Sequence, residues 1–330
     1  MAAQEIHNVL ITAAGGNIGQ PLVQRFVDEA SRSSDKYKLV LPTRRLEHLK
    51  SVLPSSVPGV EIAIVQGDIG DPVWLESILR EHGVETVMLN LTGVEELMLT
   101  LNCFDAMRRA SVQHLVYISA AGDFSLKAVE QGLMKYIHAG HVAVKVTIEH
   151  KLVYGDLPFT WTILGPMLFF SNDLRSKGPM MAHGFFPEPL SRNGVGRVDP
   201  QDIGLGAYRA IEDRGRKWAK KKVTIGGRHL YTSDEITSLW GKALGKEISM
   251  AGTDQQSLDE LARSFCQYIG GPPIWGRDFA LMYVGFDQVP WYQQTDEEYK
   301  AQCALLGKEP NSYEEFVAKT GAQWLAEVKK

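Results

Sequence analysis

The chain of 330 residues is long enough to bury a large core and to form two structural units. Its 39 acidic and 35 basic residues leave a formal charge of −4, and 44% of the chain is hydrophobic; this ordinary globular balance excludes recognition of nucleic acid through an overall basic surface. No run is apolar enough to span a membrane, no charged-then-apolar leader opens the chain, and Cys103, Cys266 and Cys303 lie too far apart for a metal or disulfide framework, all of which points to the cytoplasm.

The first element, Val9-Leu-Ile-Thr-Ala-Ala-Gly-Gly-Asn-Ile-Gly19, is an apolar strand that stops in small residues and gives way to a helix. Ala13, Gly16 and Gly19 are spaced three apart, an A-x-x-G-x-x-G pattern. Small residues let a backbone approach a pyrophosphate at a helix N-terminus, and Gly19 lets that helix pack close to its strand. Thr12, Ala14, Gly16, Asn17, Ile18 and Gly19 are therefore cofactor-binding candidates; an ordinary Gly-rich loop is the alternative. Leu22, Val23, Phe26, Val27 and Ala30 mark one helical face. The next strand, Lys38–Leu41, ends in Pro42-Thr43-Arg44-Arg45. An NAD site usually has an acid there for the ribose 2′-hydroxyl, whereas two guanidinium groups suit a 2′-phosphate. Arg44 and Arg45 thus favour NADP(H), with a solvated strand end as the alternative.

Glu61–Val65 is the third expected strand, ending at Gln66-Gly67-Asp68, and Pro72–Arg80 a helix. Thr86–Thr92 is the fourth strand, Glu95–Ala110 a helix, His114–Ser119 the fifth strand and His141–Tyr154 a long helix. Phe159–Leu164 is the sixth strand, stopped by Gly165-Pro166. Alternation of this length predicts a parallel, doubly wound α/β sheet whose ligands bind beyond the carboxyl ends of the strands. Those ends supply further cofactor candidates: Asp68, Ile69, Asn90, Leu91, Thr92, Ser119, Ala120, Gly165, Pro166 and Met167. Capping of the next turn is the alternative for Asp68, and a local backbone bond for Ser119. Asn90-Leu-Thr92 also matches a glycosylation triplet, discounted here inside an apolar strand.

Residues 167–197, rich in Met, Phe, Gly and Pro, read as a long covering loop. Asp199-Pro-Gln-Asp202 begins a helix. The basic run Arg214–Lys222 reads as a solvated helix end before the strand Val223–Ile225, and the chain is mostly helical from Ser233. Phe169, Phe170, Asn172, Trp275, Tyr283 and Trp291 are candidates to line a pocket for a large aromatic or polycyclic ligand, with Phe169 also placed beside the cofactor. Core packing is the alternative for each aromatic residue. His183 and His229 lack ligand-like spacing, so no metal site is expected. The expected division is 1–166 with 198–230 as the dinucleotide-binding domain, and 167–197 with 231–330 as the cap.

Seven segments stand out in chain order: Thr12–Gly19, Gln66–Asp71, Tyr117–Ser119, His141 with Lys145 and Glu149, Phe159–Leu164, Val198–Ile203 and Leu244–Lys246. In this set the chain resembles the NmrA-like branch of the atypical short-chain dehydrogenases/reductases, over roughly its first 250 residues. The resemblance implies a Rossmann-type doubly wound parallel sheet binding NADP(H), with a smaller, mostly helical C-terminal domain that covers a small-molecule substrate. The family holds true reductases as well as non-catalytic, redox-sensing regulators that bind a protein partner. Two departures stand out. The first glycine of the family is Ala13 here, and its Arg-Pro after the sixth strand is Gly165-Pro166, which removes a cation and leaves room for a bulky substrate.

Short-chain dehydrogenases place a tyrosine four residues before their lysine; here His141 stands four before Lys145. Positions i and i+4 share a helix face, and a histidine exchanges protons near neutral pH. His141 and Lys145 are the catalytic candidates, Lys145 also touching the cofactor, with exposed surface pairs as the alternative. Tyr136 has Gly140 four residues on and forms no Tyr–Lys pair. The leading expectation is an NADP(H)-dependent oxidoreductase acting on a carbonyl, imine or activated double bond of a bulky substrate, in the manner of a natural-product tailoring enzyme of secondary metabolism, redox-coupled cyclisation included. The competing one is an NADP(H)-sensing regulator.

Overall fold

The structure, a computed structural model, describes residues 6–32 and 34–328; the leading residues read for a targeting signal and the outermost bounds of the expected domains lie outside them. The chain opens as β1 (Ile6–Ile11), α1 (Gly19–Glu29), β2 (Lys36–Thr43), α2 (Leu46–Val52), β3 (Val60–Gln66), α3 (Pro72–Glu81) and β4 (Thr86–Leu89). It continues through α4 (Glu96–Arg109), β5 (His114–Ile118), α5 (Leu126–Glu130), α6 (Gly140–Tyr154), β6 (Thr160–Pro166) and β7 (Leu168–Phe169). A 3-10 turn, Phe170–Ser176, leads to α7 (Lys177–His183), β8 (Phe185–Phe186), β9 (Val195–Val198), α8 (Pro200–Glu212), β10 (Lys221–Ile225) and β11 (Leu230–Tyr231). The rest is α9 (Ser233–Leu244), β12 (Ser249–Met250), α10 (Gln255–Ile269), α11 (Pro273–Gln288), α12 (Asp296–Leu306) and α13 (Tyr313–Val328).

Seven strands form one sheet in the order β10-β6-β5-β4-β1-β2-β3, every pairing parallel. This is the expected Rossmann-type doubly wound sheet. Its order reverses between β1 and β4, which opens a crevice at the carboxyl ends of those strands. Successive strand residues point to opposite faces, and both faces are covered, so the strands are apolar throughout. Val9, Ile11 and Leu39 pack with Phe26 of α1 and Ile203 of α8. Leu10, Val40 and Leu115 pack on the other side with Leu75 of α3 and Phe104 of α4.

The C-terminal part is mostly helical and has its own aromatic core, including Phe170, Trp240, Phe279, Tyr283 and Tyr313. Within it, α12 turns back to the sheet layer: Leu305 joins the first sheet core, and the Gln302 amide bonds both backbone groups of Gly226 at 2.6 and 2.9 Å. This helix lies in the 231–330 stretch assigned above to the cap. Among the described residues, no helix is long and apolar enough to cross a membrane.

Three local expectations need correction. Gly165 and Pro166 do not stop β6, because they continue its pairing with Thr224 and Ile225 of β10. Residues 167–197 are not one irregular loop but hold β7, the 3-10 turn, α7, β8 and β9. Asn90-Leu-Thr92 lies past the end of β4, outside any strand.

Candidate active site

The turn after β1 is shaped by Thr12, Ala13, Gly16 and Gly19. Thr12 Oγ1 donates towards the Met88 and Asn90 carbonyls and accepts from the Asn90 N–H at 2.8 Å, which joins the ends of β1 and β4. Ala13 takes the left-handed backbone region, φ +50°, where the family has glycine. Its carbonyl accepts from Gly16 N–H at 2.9 Å and closes the turn. A Cβ on Gly19 would lie 2.3 Å from that same carbonyl oxygen and 2.5 Å from Ala14 Cα, so only glycine lets α1 begin here. No side chain caps α1; Gln20 N–H bonds the Gly16 carbonyl at 3.0 Å and Pro21 has no N–H, so the backbone donors that can meet an anion here are those of the Asn17–Gly19 turn.

A cavity of about 540 Å³ starts at this turn and runs under the cap. Of the expected cofactor residues it is lined by Gly16, Asn17, Ile18, Asn90, Leu91, Thr92, Ser119, Ala120, Lys145, Pro166, Met167 and Phe169. Of the expected substrate residues it is lined by Phe169, Asn172, Trp275 and Trp291, and His141 also faces it. Trp291 Nε1 donates to the Ala121 carbonyl at 3.2 Å, which ties the aromatic cap to the end of β5.

Other candidates lie elsewhere. Thr12, Ala14 and Gly19 form the frame of the turn behind the cavity wall. Arg44 and Arg45 are exposed at the end of β2, and Arg44 approaches Asp68 at 3.9 Å. Asp68 caps its own turn, accepting from Gly70 N–H at 2.8 Å, and Ile69 packs against the second sheet core. Phe170 and Tyr283 do not face the cavity: both are fully buried, Phe170 against Tyr313 and Phe316, and Tyr283 with its hydroxyl on Glu188 at 2.5 Å. Their own core claims them, as the packing alternative had it. The room expected at Gly165 is filled. A Cβ there would lie 2.8 Å from the Ala120 carbonyl oxygen and 3.1 Å from Lys222 Cε. A cation therefore stands beside this position after all, supplied by the neighbouring strand; Lys222 bonds Glu149, whose Oε1 also accepts from Ser119.

Lys145 and His141 share one face of α6, as their spacing requires, but their partners were not visible in sequence. The Lys145 ammonium is buried and donates to the carbonyls of Leu91 at 3.2 Å and Ile118 at 3.1 Å and to Glu96 of α4. Tyr117 donates to the same Glu96 oxygen at 3.1 Å. Burial pushes the lysine pKa down, and the Glu96 charge works against that shift. His141 Nδ1 bonds Asp278 of α11, and the ring stands edge-on to Trp275 at 5.2 Å. Asp278 also accepts from the backbone N–H of Gly140 at 2.5 Å and of His141 at 3.3 Å, so it caps α6 as well. Burial would raise the Asp278 pKa, but its hydrogen bonds and the nearby imidazole outweigh burial and hold it below the usual range. Tyr136, set aside for lack of a lysine partner, lines the cavity near His138.

The sequence from residue 5 to residue 317 matches the NmrA-like family. No curated protein matches the chain. Among solved structures, a nucleoside-diphosphate-sugar epimerase from Staphylococcus aureus aligns with TM-score 0.72 and 15% identity, over 94% of this chain and 99% of its own. An NADPH-dependent quinone oxidoreductase from Escherichia coli aligns with TM-score 0.70 and 20% identity, over 94% and 99%. A triphenylmethane reductase from a Citrobacter species aligns with TM-score 0.68 and 17% identity, over 96% and 99%. Likeness at these identities establishes the fold.

Proposed function

The chain belongs to the NmrA-like family, and on that premise we propose that it is an NADP(H)-dependent oxidoreductase acting on a bulky aromatic small molecule. The observation that carries this reading is the single cavity that joins the Gly16–Ile18 turn, the His141 and Lys145 pair and the aromatic cap lining. The turn fits a dinucleotide: it has a left-handed residue, a closely packed glycine and a helix start with no side-chain cap. Arg44 and Arg45 supply the cations that a 2′-phosphate requires. Two proteins of similar fold, an NADPH-dependent quinone oxidoreductase complexed with NADPH and a triphenylmethane reductase complexed with NADP(H), support the same chemistry.

A nicotinamide bound in this crevice would exchange a hydride with a carbonyl, imine or activated double bond. The protein does the rest. Asn90–Thr92 and Ser119–Ala120, which line the cavity, would border the cofactor. Lys145 places a positive charge beside it; to reach a ribose hydroxyl, the ammonium exchanges its longest bond, the one to the Leu91 carbonyl. With Nδ1 on Asp278, His141 has Nε2 left for the substrate and passes the proton that accompanies hydride transfer. Asp278 fixes the ring and its tautomer. The aromatic cap orients the substrate and excludes water. Natural-product tailoring, redox-coupled cyclisation included, fits a cavity of this size and lining, and a cytoplasmic setting fits the cysteine usage.

The regulator reading keeps two observations in its favour: all three Lys145 N–H groups are engaged, and His141, not a tyrosine, stands four residues before it. One experiment separates the two. The purified protein is given NADPH and a panel of aromatic quinones, ketones, imines and enones, and cofactor absorbance is followed. Substrate-dependent oxidation supports the enzyme. Tight NADPH binding without turnover, with recovery of a defined protein partner, supports the regulator.

A further inference from the structure

One cation inside the cavity has no part in that hydride and proton chemistry. Arg175, on the 3-10 turn, lines the cap end, where the surrounding wall is mostly aromatic. Its guanidinium lies over the Phe279 and Phe265 rings, 5.0 and 5.6 Å from their centroids. Nε and Nη2 both donate to one oxygen of buried Glu188, at 3.0 and 2.8 Å. The other Glu188 oxygen accepts from the Tyr283 hydroxyl. Nη1 donates to Asn172 Oδ1 at 3.1 Å, and Asn172 also lines the cavity.

This network leaves a one-sided set of groups. A guanidinium has five N–H donors and no acceptor, and three donors are committed here. The side-chain oxygen of Asn172 is turned to Arg175 and already accepts one bond, while both N–H groups of its amide remain to be donated. Glu188 fixes the guanidinium from behind and already balances its charge. The occupant of this corner must therefore bring an acceptor, and a second carboxylate would arrive without a counter-ion. The ring faces around the guanidinium suit a planar aromatic frame.

We propose that Arg175 and Asn172 form a subsite for a neutral carbonyl oxygen carried on the aromatic substrate, remote from the carbon that exchanges hydride. The substrate class is thus an aromatic or polycyclic ketone, quinone or amide with a second, non-reacting carbonyl. This rests on the oxidoreductase reading for the place of the reacting carbon, but the binding step is testable alone.

The protein is saturated with NADP⁺, so that no turnover intervenes, and titrated with 2-acetonaphthone, 2-ethylnaphthalene and 2-naphthoate while tryptophan fluorescence is followed. Hydrogen bonds to a charged donor predict that the ketone binds roughly ten- to a hundredfold more tightly than the hydrocarbon of the same shape. The carboxylate is expected to bind more weakly than the ketone. Asn172→Leu should remove much of the ketone preference with NADP⁺ affinity unchanged. The double variant Arg175→Met with Glu188→Met, which leaves no orphaned charge, should remove the rest. Equal binding of ketone and hydrocarbon, no measurable binding of either, a preference for the carboxylate, or full preference in both variants would overturn the subsite. Ketone preference without NADPH oxidation by any substrate would defeat the oxidoreductase reading and leave the subsite standing.

Discussion

Asp278 of α11 holds His141 of α6 across 137 residues of sequence, through Nδ1 and through the backbone amide that follows the helix start. An imidazole fixed in this way presents its second nitrogen in one tautomer. The carboxylate belongs to the helical C-terminal part and the histidine to the sheet layer, so packing of the two parts assembles the pair.

Asp278→Asn keeps the shape of the contact but removes its charge. Turnover is expected to fall roughly a hundredfold or more, the scale of a positioned acid–base group, while NADPH affinity stays within about twofold. His141→Gln should give a loss of the same order, and the pH dependence of turnover should change in both variants. Asp278→Glu should recover part of the activity. Steady-state kinetics from pH 5 to 9, with NADPH binding followed by fluorescence, checks each point.

Lys145 and Glu96 form a buried pair, and its two halves are expected to behave unequally. Glu96→Gln strands an ammonium in a dry site, and breaking such a pair costs about 3–5 kcal/mol. Urea unfolding measures this directly. Lys145→Met with Glu96→Leu should recover most of the stability while turnover stays lost, because packing is restored and the charge proposed to stand beside the cofactor is not. Recovery of turnover in the double variant would remove Lys145 from the chemistry.

At the turn after β1, two small substitutions should act in opposite directions. Gly19→Ala forces a Cβ against the Ala13 carbonyl and must displace the turn, so NADPH affinity should drop roughly tenfold or more. Ala13→Gly relieves a left-handed backbone and should stabilise the fold by about 1 kcal/mol without weakening the cofactor. Thermal unfolding and calorimetry distinguish the two effects.

Acid should destabilise this protein through two buried histidines before most carboxylates titrate. Burial holds His7 at about 3 and His114 at about 4, below the usual 6.5. Both stay neutral when folded and gain protons when unfolded, so their contribution is complete above pH 6.5 and is lost as pH falls towards the folded values. Each contributes a slope of about 1.4 kcal/mol per pH unit in that window. His114→Gln should flatten the fall in urea midpoint between pH 6.5 and 4; an unchanged slope would contradict the assignment.

The fold was legible because its signals are local. An apolar run, a cluster of small residues and a helical face lie within the first 30 residues, and the alternation that follows sets a parallel sheet. The cavity lining was legible wherever it falls at a strand end. What escaped depends on distant partners. Glu96 reads as an ordinary acid in the first turn of a helix, and its lysine lies 49 residues on. Asp278 sits among aromatic residues and Arg175 in a polar stretch, with no local sign of His141 or Glu188. Gly165 looked like open space because its sequence says nothing of the Lys222 stem that fills it. Phe170 and Tyr283 have the same composition signal as Trp275 and Trp291, and only tertiary packing separates core from lining.

Calorimetric titration of the folded protein with NADPH and NADH tests the central claim most directly. The account predicts a single site that takes NADPH roughly ten- to a hundredfold more tightly than NADH, a preference lost in Arg44→Ala with Arg45→Ala. Heat from neither nucleotide, on material shown to be folded, would contradict it.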